Sequence, residues 1–139
     1  MIVVDSSAFI AMFLNEETAG QLLTRLAVES DRLMSVASYV ETGTVLAARR
    51  RDRPASAIED LDRFRIELAL ALAPVDEEQA HLALRARIQF GRGMGHGGML
   101  NFGDCFSYAL ARSRRAPLLF VGDDFSTTDV EVALRVVSN

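Results

Sequence analysis

The chain has 139 residues, of which 19 are acidic and 15 basic, so its formal net charge at neutral pH is −4. This length predicts one domain, residues 1–139, that buries a core without disulfides or a structural metal. The one cysteine excludes an intrachain disulfide. All 15 basic residues are arginines, which excludes chemistry that needs a lysine, such as a Walker A site or a pyridoxal phosphate Schiff base.

No apolar stretch reaches the roughly 20 residues that a membrane helix requires. The opening residues meet a carboxylate, Asp5, too early for a signal peptide. We therefore expect a cytoplasmic protein that makes no membrane contact. The acidic balance also argues against broad nucleic-acid binding through a basic surface.

Short apolar runs alternate with helical patterns along the chain. The runs at 2–4, 33–36 and 118–121 predict strands, and 72–75 is a weaker candidate. Helices are predicted at 18–29, 39–51, 55–70, 77–90 and 104–114, with another beginning at residue 6. Five glycines within residues 91–98 predict a flexible loop on the substrate side. The alternation predicts an α/β fold with a mainly parallel sheet covered on both faces.

Acidic residues recur where strands end and helices begin. Asp5 follows the first predicted strand, and Asp123 and Asp124 follow the last one. Glu41 and Asp104 lie near the starts of two predicted helices. Because ligands bind at the carboxyl ends of parallel strands, we expect these acids on one edge of the sheet.

Each acid also has a purely structural interpretation. Asp5 can cap the helix that begins at residue 6, and Asp104 can be the third residue of a helix capped by Asn101. Ser38 and Glu41 have the spacing of a capping box. The two acids at 123 and 124 can belong to an ordinary turn.

Taken together, the acids predict a metal site. Two carboxylates 4 Å apart repel by about 4 kcal/mol at an effective dielectric constant of 20, so a cluster needs shared protons or cations. Ligands that are all oxygen suit Mg²⁺ or Mn²⁺. A metal-dependent phosphatase fits less well, because such folds generally place a lysine beside the phosphoryl group and this chain has none.

The residues around these acids resemble those of the PIN-domain ribonucleases and, within that family, the VapC toxins of type II (VapBC) toxin–antitoxin systems. Four segments carry the resemblance, in the same order and spacing: MIVVDSSA from residue 1, SYVE from 38, LNFGDCFSYA from 100, and LLFVGDDF from 118, which Thr128 and Asp129 follow. Each motif alone is weak, but four in register are specific, and they cover nearly the whole chain.

The resemblance implies a PIN-like three-layer α/β/α fold and Mg²⁺- or Mn²⁺-dependent hydrolysis of RNA phosphodiester bonds. It implies catalytic roles for Asp5, Glu41 and Asp104, with Asp5 and Asp104 as the metal ligands. The fourth position corresponds to Asp123 or Asp124. We favour Asp123 as the residue that points into the site, with Asp124 supporting it.

The resemblance further implies a homodimer and a cognate VapB-type antitoxin that blocks the site. Two alternatives remain open: a non-catalytic PIN-like module that binds RNA or protein, and a metallonuclease that cuts DNA. Candidate RNA contacts are Arg49, Arg50, Arg92, Arg112, Tyr39 and Phe125, and candidate antitoxin contacts are Leu22, Leu23, Leu26, Val40, Val45 and Leu46. Which RNA is cut, and with one metal or two, is left open.

Overall fold

The computed structural model describes residues 1–136, so the last three residues of the predicted domain lie outside it. Its strands are β1 (Ile2–Val4), β2 (Arg32–Ser35), β3 (Leu70–Ala73) and β4 (Leu118–Leu119). Its helices are α1 (Ser6–Phe13), α2 (Ala19–Ala27), α3 (Val36–Arg49), α4 (Pro54–Glu67), α5 (Glu77–Phe90) and α6 (Asp104–Arg114).

The four strands form one parallel sheet in the order β3-β2-β1-β4. The first strand is therefore central: Val3 pairs with Leu33 on one side and with Leu118 on the other. Because all strands run in the same direction, their carboxyl ends meet at one edge of the sheet. The segments that follow β1, β2 and β4 emerge there.

Side chains of the central strand alternate between two cores, as the pleat of a strand requires. Ile2 and Val4 pack into the core beneath α1 to α4, whereas Val3 packs into the core beneath α5 and α6. All three side chains are fully buried. Helices thus cover both faces of the sheet, and the predicted three-layer α/β/α architecture is confirmed. No helix within residues 1–136 is long and apolar enough to span a membrane.

The predicted bounds of β1, α5 and α6 agree with the structure, but helix α3 begins earlier than predicted. Ser35 ends β2 and caps α3, since its hydroxyl accepts a hydrogen bond from the Ala37 amide at 3.2 Å. The predicted Ser38–Glu41 capping box is therefore wrong. Both residues lie inside the helix, and their side chains bond to other elements instead.

Three strands differ from their predicted ranges: β2 lies one residue earlier than predicted, and β3 and β4 differ for local reasons. Strand β3 begins at Leu70 because α4 ends at Glu67 and Ala69 turns the chain with a φ of 51°. Strand β4 has two residues where four were predicted. The Val121 amide donates to the Ser7 hydroxyl at 3.0 Å instead of pairing with a neighbouring strand, and this bond joins the end of β4 to α1.

Residues 91–98 form the predicted loop. Gly93, Gly95 and Gly97 have φ values between 74° and 85°, which side chains rarely allow. The His96 ring contacts the Ile88 carbonyl at 2.8 Å and holds this loop against the end of α5.

Candidate active site

Asp5 lies where the central strand ends and α1 begins. Its side chain is 2% exposed, and both of its oxygens are engaged. Oδ2 accepts from the amide and hydroxyl of Ser7 at 3.0 and 2.6 Å, so Asp5 caps α1 as predicted. Oδ1 accepts from the Ser107 hydroxyl of α6 at 2.6 Å. The Asp5 carboxylate is thus held in one orientation from two sides.

Asp104 is the first residue of α6. The Asn101 amide donates to Asp104 Oδ2 at 3.0 Å, and the Asp104 amide donates to Asn101 Oδ1 at 2.8 Å. This reciprocal pair closes the turn that precedes α6, because the helix begins at Asp104 and Gly103 holds its N-cap position without a side-chain cap. The prediction that Asp104 is the third residue of a helix capped by Asn101 is therefore wrong, since Asp104 is the first residue of α6.

The pKa of Asp104 is raised to about 7, chiefly by burial and additionally by the charges of Asp5, Asp124 and Glu41, against the opposing effect of the Asn101 amide. The Asp104 side chain is 6% exposed. A buried carboxyl beside three other acids favours either a proton or a cation.

Glu41 reaches the site from the second turn of α3. Its Oε1 accepts from the Ser6 hydroxyl at 2.7 Å. Its other oxygen faces Gly103 so closely that a Cβ on that glycine would lie 1.8 Å from Oε2. A side chain at position 103 would therefore occupy the space that the Glu41 carboxylate needs.

The acids that follow β4 face different cavities. One cavity of about 240 Å³ is lined by Asp5, Ser6, Ser7, Ile10, Glu41, Val45, Asn101, Asp104, Val121, Asp124 and Phe125. Asp123 instead lines a neighbouring cavity of about 640 Å³. Asp124, and not the favoured Asp123, therefore shares a cavity with Asp5, Glu41 and Asp104. The turn between β4 and these two acids includes Gly122 with a φ of 99°.

The acids are held by serine hydroxyl groups that were not predicted from the sequence. Ser6 and Ser7 bond to Glu41 and Asp5, respectively. Ser107 is fully buried and also contacts the hydroxyl of Ser38 at 2.9 Å. One signal was available, because Ser107 lies three residues after Asp104 on a helix and therefore on the same face.

Of the four arginines predicted to contact RNA, two lie close to acidic side chains and two are exposed. Arg50 pairs with Asp60 of α4 at 2.6 Å, and the Arg112 guanidinium lies 3.7 Å from Asp129. Arg49 is exposed on the same helix as Glu41, and Arg92 is exposed in the glycine-rich loop.

The aromatic candidates occupy structural positions. The Tyr39 hydroxyl donates to Asp62 at 3.0 Å, and Arg65 stacks over the same ring. Phe125 is 2% exposed and forms part of the wall of both cavities.

The donor set fits a hard divalent cation. The four acids around the smaller cavity supply only oxygen ligands, and Asn101 adds an amide. Within residues 1–136, no three acidic, histidine or cysteine side chains are already gathered around one metal-binding point. Mg²⁺ usually binds through one or two carboxylates and keeps several waters, which two acids such as Asp5 and Asp104 can provide.

A comparison with protein families matches the PIN domain over residues 2–131. Ribonuclease VapC28 of Mycobacterium tuberculosis is 45% identical over 133 residues, which cover 96% of this chain and 98% of the relative. Ribonuclease VapC42 of the same species is 39% identical over 132 residues, or 95% and 98%. The chain therefore belongs to the PIN-domain family and, within it, to the VapC ribonucleases.

Solved structures agree on the fold. The M. tuberculosis toxin VapC20, described as cleaving the sarcin-ricin loop, superposes with a TM-score of 0.70 at 21% identity, over 97% of this chain and 99% of that one. A toxin–antitoxin complex from Klebsiella pneumoniae gives the same TM-score at 17% identity, over 98% and 100%. These two similarities support the three-layer architecture.

Proposed function

We propose that this protein is the toxin of a type II toxin–antitoxin system and that it hydrolyses RNA phosphodiester bonds with Mg²⁺ or Mn²⁺ in the cytoplasm. The observation that carries the proposal is the convergence of Asp5, Glu41, Asp104 and Asp124 around one cavity. These acids come from four separate segments that only the sheet edge brings together. The relatives at 39–45% identity are named ribonucleases, which supports the same activity.

Asp5 and Asp104 are the proposed metal ligands, because they are the most buried acids of the group and lie at the N-terminal ends of α1 and α6. Glu41 and Asp124 complete the negative site. When bound, the divalent cation supplies activation of the attacking water and neutralises charge that develops on the phosphate.

The protein's own residues orient these groups. The Ser7 and Ser107 hydroxyls aim the two Asp5 oxygens, and Ser6 aims Glu41. Asn101 holds Asp104 at the start of α6. Because the acids are positioned by short bonds from fixed helices, binding of a cation needs little rearrangement of the backbone.

The test compares cleavage of a mixed RNA pool and of matched single-stranded DNA in Mg²⁺, Mn²⁺ or EDTA. Asp5→Asn and Asp104→Asn are expected to lose more activity than the roughly 10–100-fold that removal of an outer-shell partner costs. Asp52→Asn, at an exposed position in the turn before α4, is the matched control and is expected to cut normally. Cleavage of DNA alone would show a DNA-directed metallonuclease, and folded protein that binds RNA but cuts neither polymer would show a binding module.

We further propose a VapB-type antitoxin and a homodimer as the protein's assemblies. The Klebsiella neighbour is a toxin–antitoxin complex, which supports a protein partner. Of the apolar residues considered for such contact, Leu23, Val40 and Val45 are 39%, 66% and 38% exposed. The other three, Leu22, Leu26 and Leu46, lie in the core, so they are not available for contact.

Val40→Asp tests the antitoxin contact, and sedimentation of the purified protein tests the dimer. The variant is expected to cut RNA like wild type but to resist inhibition by the antitoxin encoded beside it. Ile58→Asp, on the exposed face of α4, is the matched control and is expected to remain inhibited. Equal inhibition of both variants would exclude the Val40 contact, and a sedimentation mass of one chain would exclude the dimer.

A further inference from the structure

A phenylalanine side chain is exposed on the turn that precedes α6. Phe102 is 71% exposed, although both of its neighbours in the chain contact acids of the site: Asn101 bonds to Asp104, and Gly103 lies against Glu41. Because consecutive Cα atoms are about 3.8 Å apart, the Cα of Phe102 lies within about 8 Å of the Cα of Asp104. The ring is therefore beside the acidic cavity, without forming part of its wall.

The turn holds this ring in a fixed position. The reciprocal bonds between Asn101 and Asp104 close the turn, and the Cys105 thiol donates to the Phe102 carbonyl at 2.8 Å. The Phe102 ring also packs on the ring of Phe106, with 5.2 Å between the centroids and 86° between the ring planes. Since the rings are nearly perpendicular, Phe106 covers at most one face of Phe102. At least one flat apolar face is thus open to solvent.

A cationic side chain lies on the neighbouring segment. Gly91 pairs with Leu100, and the Arg92 amide donates to the Leu100 carbonyl at 2.9 Å. This pairing places Arg92 beside the chain that continues into Phe102. The Arg92 side chain is exposed and forms no ion pair within residues 1–136. Its charge is therefore available to a ligand.

An open aromatic face beside a free guanidinium suits a single-stranded nucleic acid. Unstacked bases stack on aromatic side chains, and arginines bind the phosphates between them. A protein partner would instead need a broad surface, on the order of 800 Å² per partner. In this turn the neighbours of Phe102 are an amide side chain and a glycine, so the turn offers one ring, which is enough for one base.

We propose that Phe102 stacks on a base that flanks the cleaved phosphodiester bond of the RNA, and that Arg92 binds a phosphate of the same segment. The inference rests on the proposed ribonuclease function and extends it to the way in which the substrate is held. Because stacking accepts every base, the contact supplies affinity and position rather than base selection. Both are substrate-binding residues that do not touch the reacting atoms.

The first experiment uses a short single-stranded oligoribonucleotide with one site that wild type cuts. Phe102→Ala is expected to raise KM by about 5–150-fold, the range for loss of one stacked base, with little change in kcat. Phe102→Trp is expected to restore KM, whereas Phe102→Leu, which is apolar but not planar, is not. A lower kcat with an unchanged KM would mean that Phe102 only supports the turn, and it would overturn the proposal.

Ile66→Ala is the matched control for the phenylalanine variants. Ile66 is 62% exposed near the end of α4, and β3 begins three residues after that helix. Because β3 is parallel to the other strands, the end of α4 lies at the edge of the sheet opposite the acids. The control is expected to keep the wild-type KM and kcat.

Abasic substrates test the stacking contact itself. One nucleotide at a time beside the cut is replaced by an abasic one. At one position wild type is expected to lose as much as Phe102→Ala loses on the intact substrate, and the variant is expected to lose little more, because ring and base form one interaction. Losses that simply add at every position would overturn the contact.

Salt dependence tests Arg92. Affinity for the same oligoribonucleotide is measured by fluorescence anisotropy in the Asp5→Asn background, in which cleavage is slow. Each phosphate contact on a single strand contributes about 0.7 to the slope of log affinity against log salt, so Arg92→Ala is expected to reduce the slope by about that amount. Phe102→Ala and the control Arg114→Ala, at the far end of α6, are expected to keep it. An unchanged slope in Arg92→Ala would overturn the phosphate contact.

Failure of the inference differs from failure of the proposed function. If wild type cuts RNA and the Phe102 and Arg92 variants match it in KM and in salt slope, the inference is wrong. If the Phe102 variants cut like wild type but escape the antitoxin, the ring binds a protein segment instead, and the inference is again wrong. If wild type with metal cuts no RNA, the ribonuclease proposal fails and the inference falls with it.

Discussion

The Cα of Gly103 lies against the carboxylate of Glu41, and a Cβ at this position would come within 1.8 Å of Glu41 Oε2. The contact joins the turn before α6 to the second turn of α3. It places Glu41 beside Asp104, the residue that follows Gly103. Because Gly103 has no side chain, the Glu41 carboxylate has room beside it.

Gly103→Ala is expected to displace the Glu41 carboxylate and to reduce metal-dependent RNA cleavage by about 10–100-fold. The melting temperature should change little, because the clash falls on the flexible end of a side chain. Activity and thermal unfolding are measured on the same preparation. Gly20→Ala is the control, since a Cβ there meets no atom within 4 Å. Full activity in Gly103→Ala would show that Glu41 does not need this position.

Ser107→Ala is expected to lower both the rate of RNA cleavage and the free energy of unfolding. The change removes the donor to Asp5 Oδ1 and leaves the buried Ser38 hydroxyl without its partner, at a cost of about 1–3 kcal/mol in unfolding free energy. Cleavage should fall by about 10–100-fold, as for other outer-shell partners. Ser113→Ala, which removes only a bond to a carbonyl of the same helix, should do neither. Denaturant unfolding and cleavage rates check both effects.

The metal-free protein is expected to lose stability as the pH rises from about 4 to about 7. The Asp104 carboxyl has an ordinary pKa of 3.8, which burial and the neighbouring acids raise to about 7 in the folded state. The unfolded chain therefore releases this proton at lower pH than the folded one, and the penalty is complete above pH 7. Mg²⁺ should raise the melting temperature more at pH 8 than at pH 5.

Asp104→Asn is the control for this pH effect. It removes the buried charge, so the metal-free variant should melt at a higher temperature than wild type at pH 8 and should lose most of the response to Mg²⁺. An equal Mg²⁺ response in wild type and variant would contradict the assignment of Asp104 as a ligand.

Cys105 is expected to be unreactive in the folded protein. Its side chain is 2% exposed, and burial raises the pKa of the thiol to about 11 despite the opposing charge of Arg87. Since only the thiolate is nucleophilic, a thiol reagent at pH 8 should label the native protein far more slowly than the protein in denaturant. Rapid labelling without denaturant would mean that α6 opens readily.

Local sequence patterns predicted the elements well where one signal dominated. The bounds of β1, α5 and α6 followed from a β-branched run and from helical spacing that began at an acid. Prediction failed where a residue outside the element decides its end. The Val121 amide bonds to Ser7 rather than to a strand, and Ser35 caps α3 in place of Ser38.

The sequence by itself determined the residue types of the site and the family. The motifs predict Asp5, Glu41 and Asp104 as site residues, because an acid after a strand or near a helix start is a short-range pattern, and the structure places these three acids around one cavity. The absence of lysine likewise restricted the chemistry without any structure.

Only the tertiary structure decided how these residues meet. It placed Asp124 rather than Asp123 in the acidic cavity, and it revealed the Ser107 bond to Asp5 across 102 residues. Neighbouring side chains in a turn point in different directions, and the direction depends on backbone angles that the residue letters do not specify. Contacts between distant segments depend in the same way on the register of the sheet, which the packing of the two cores selects.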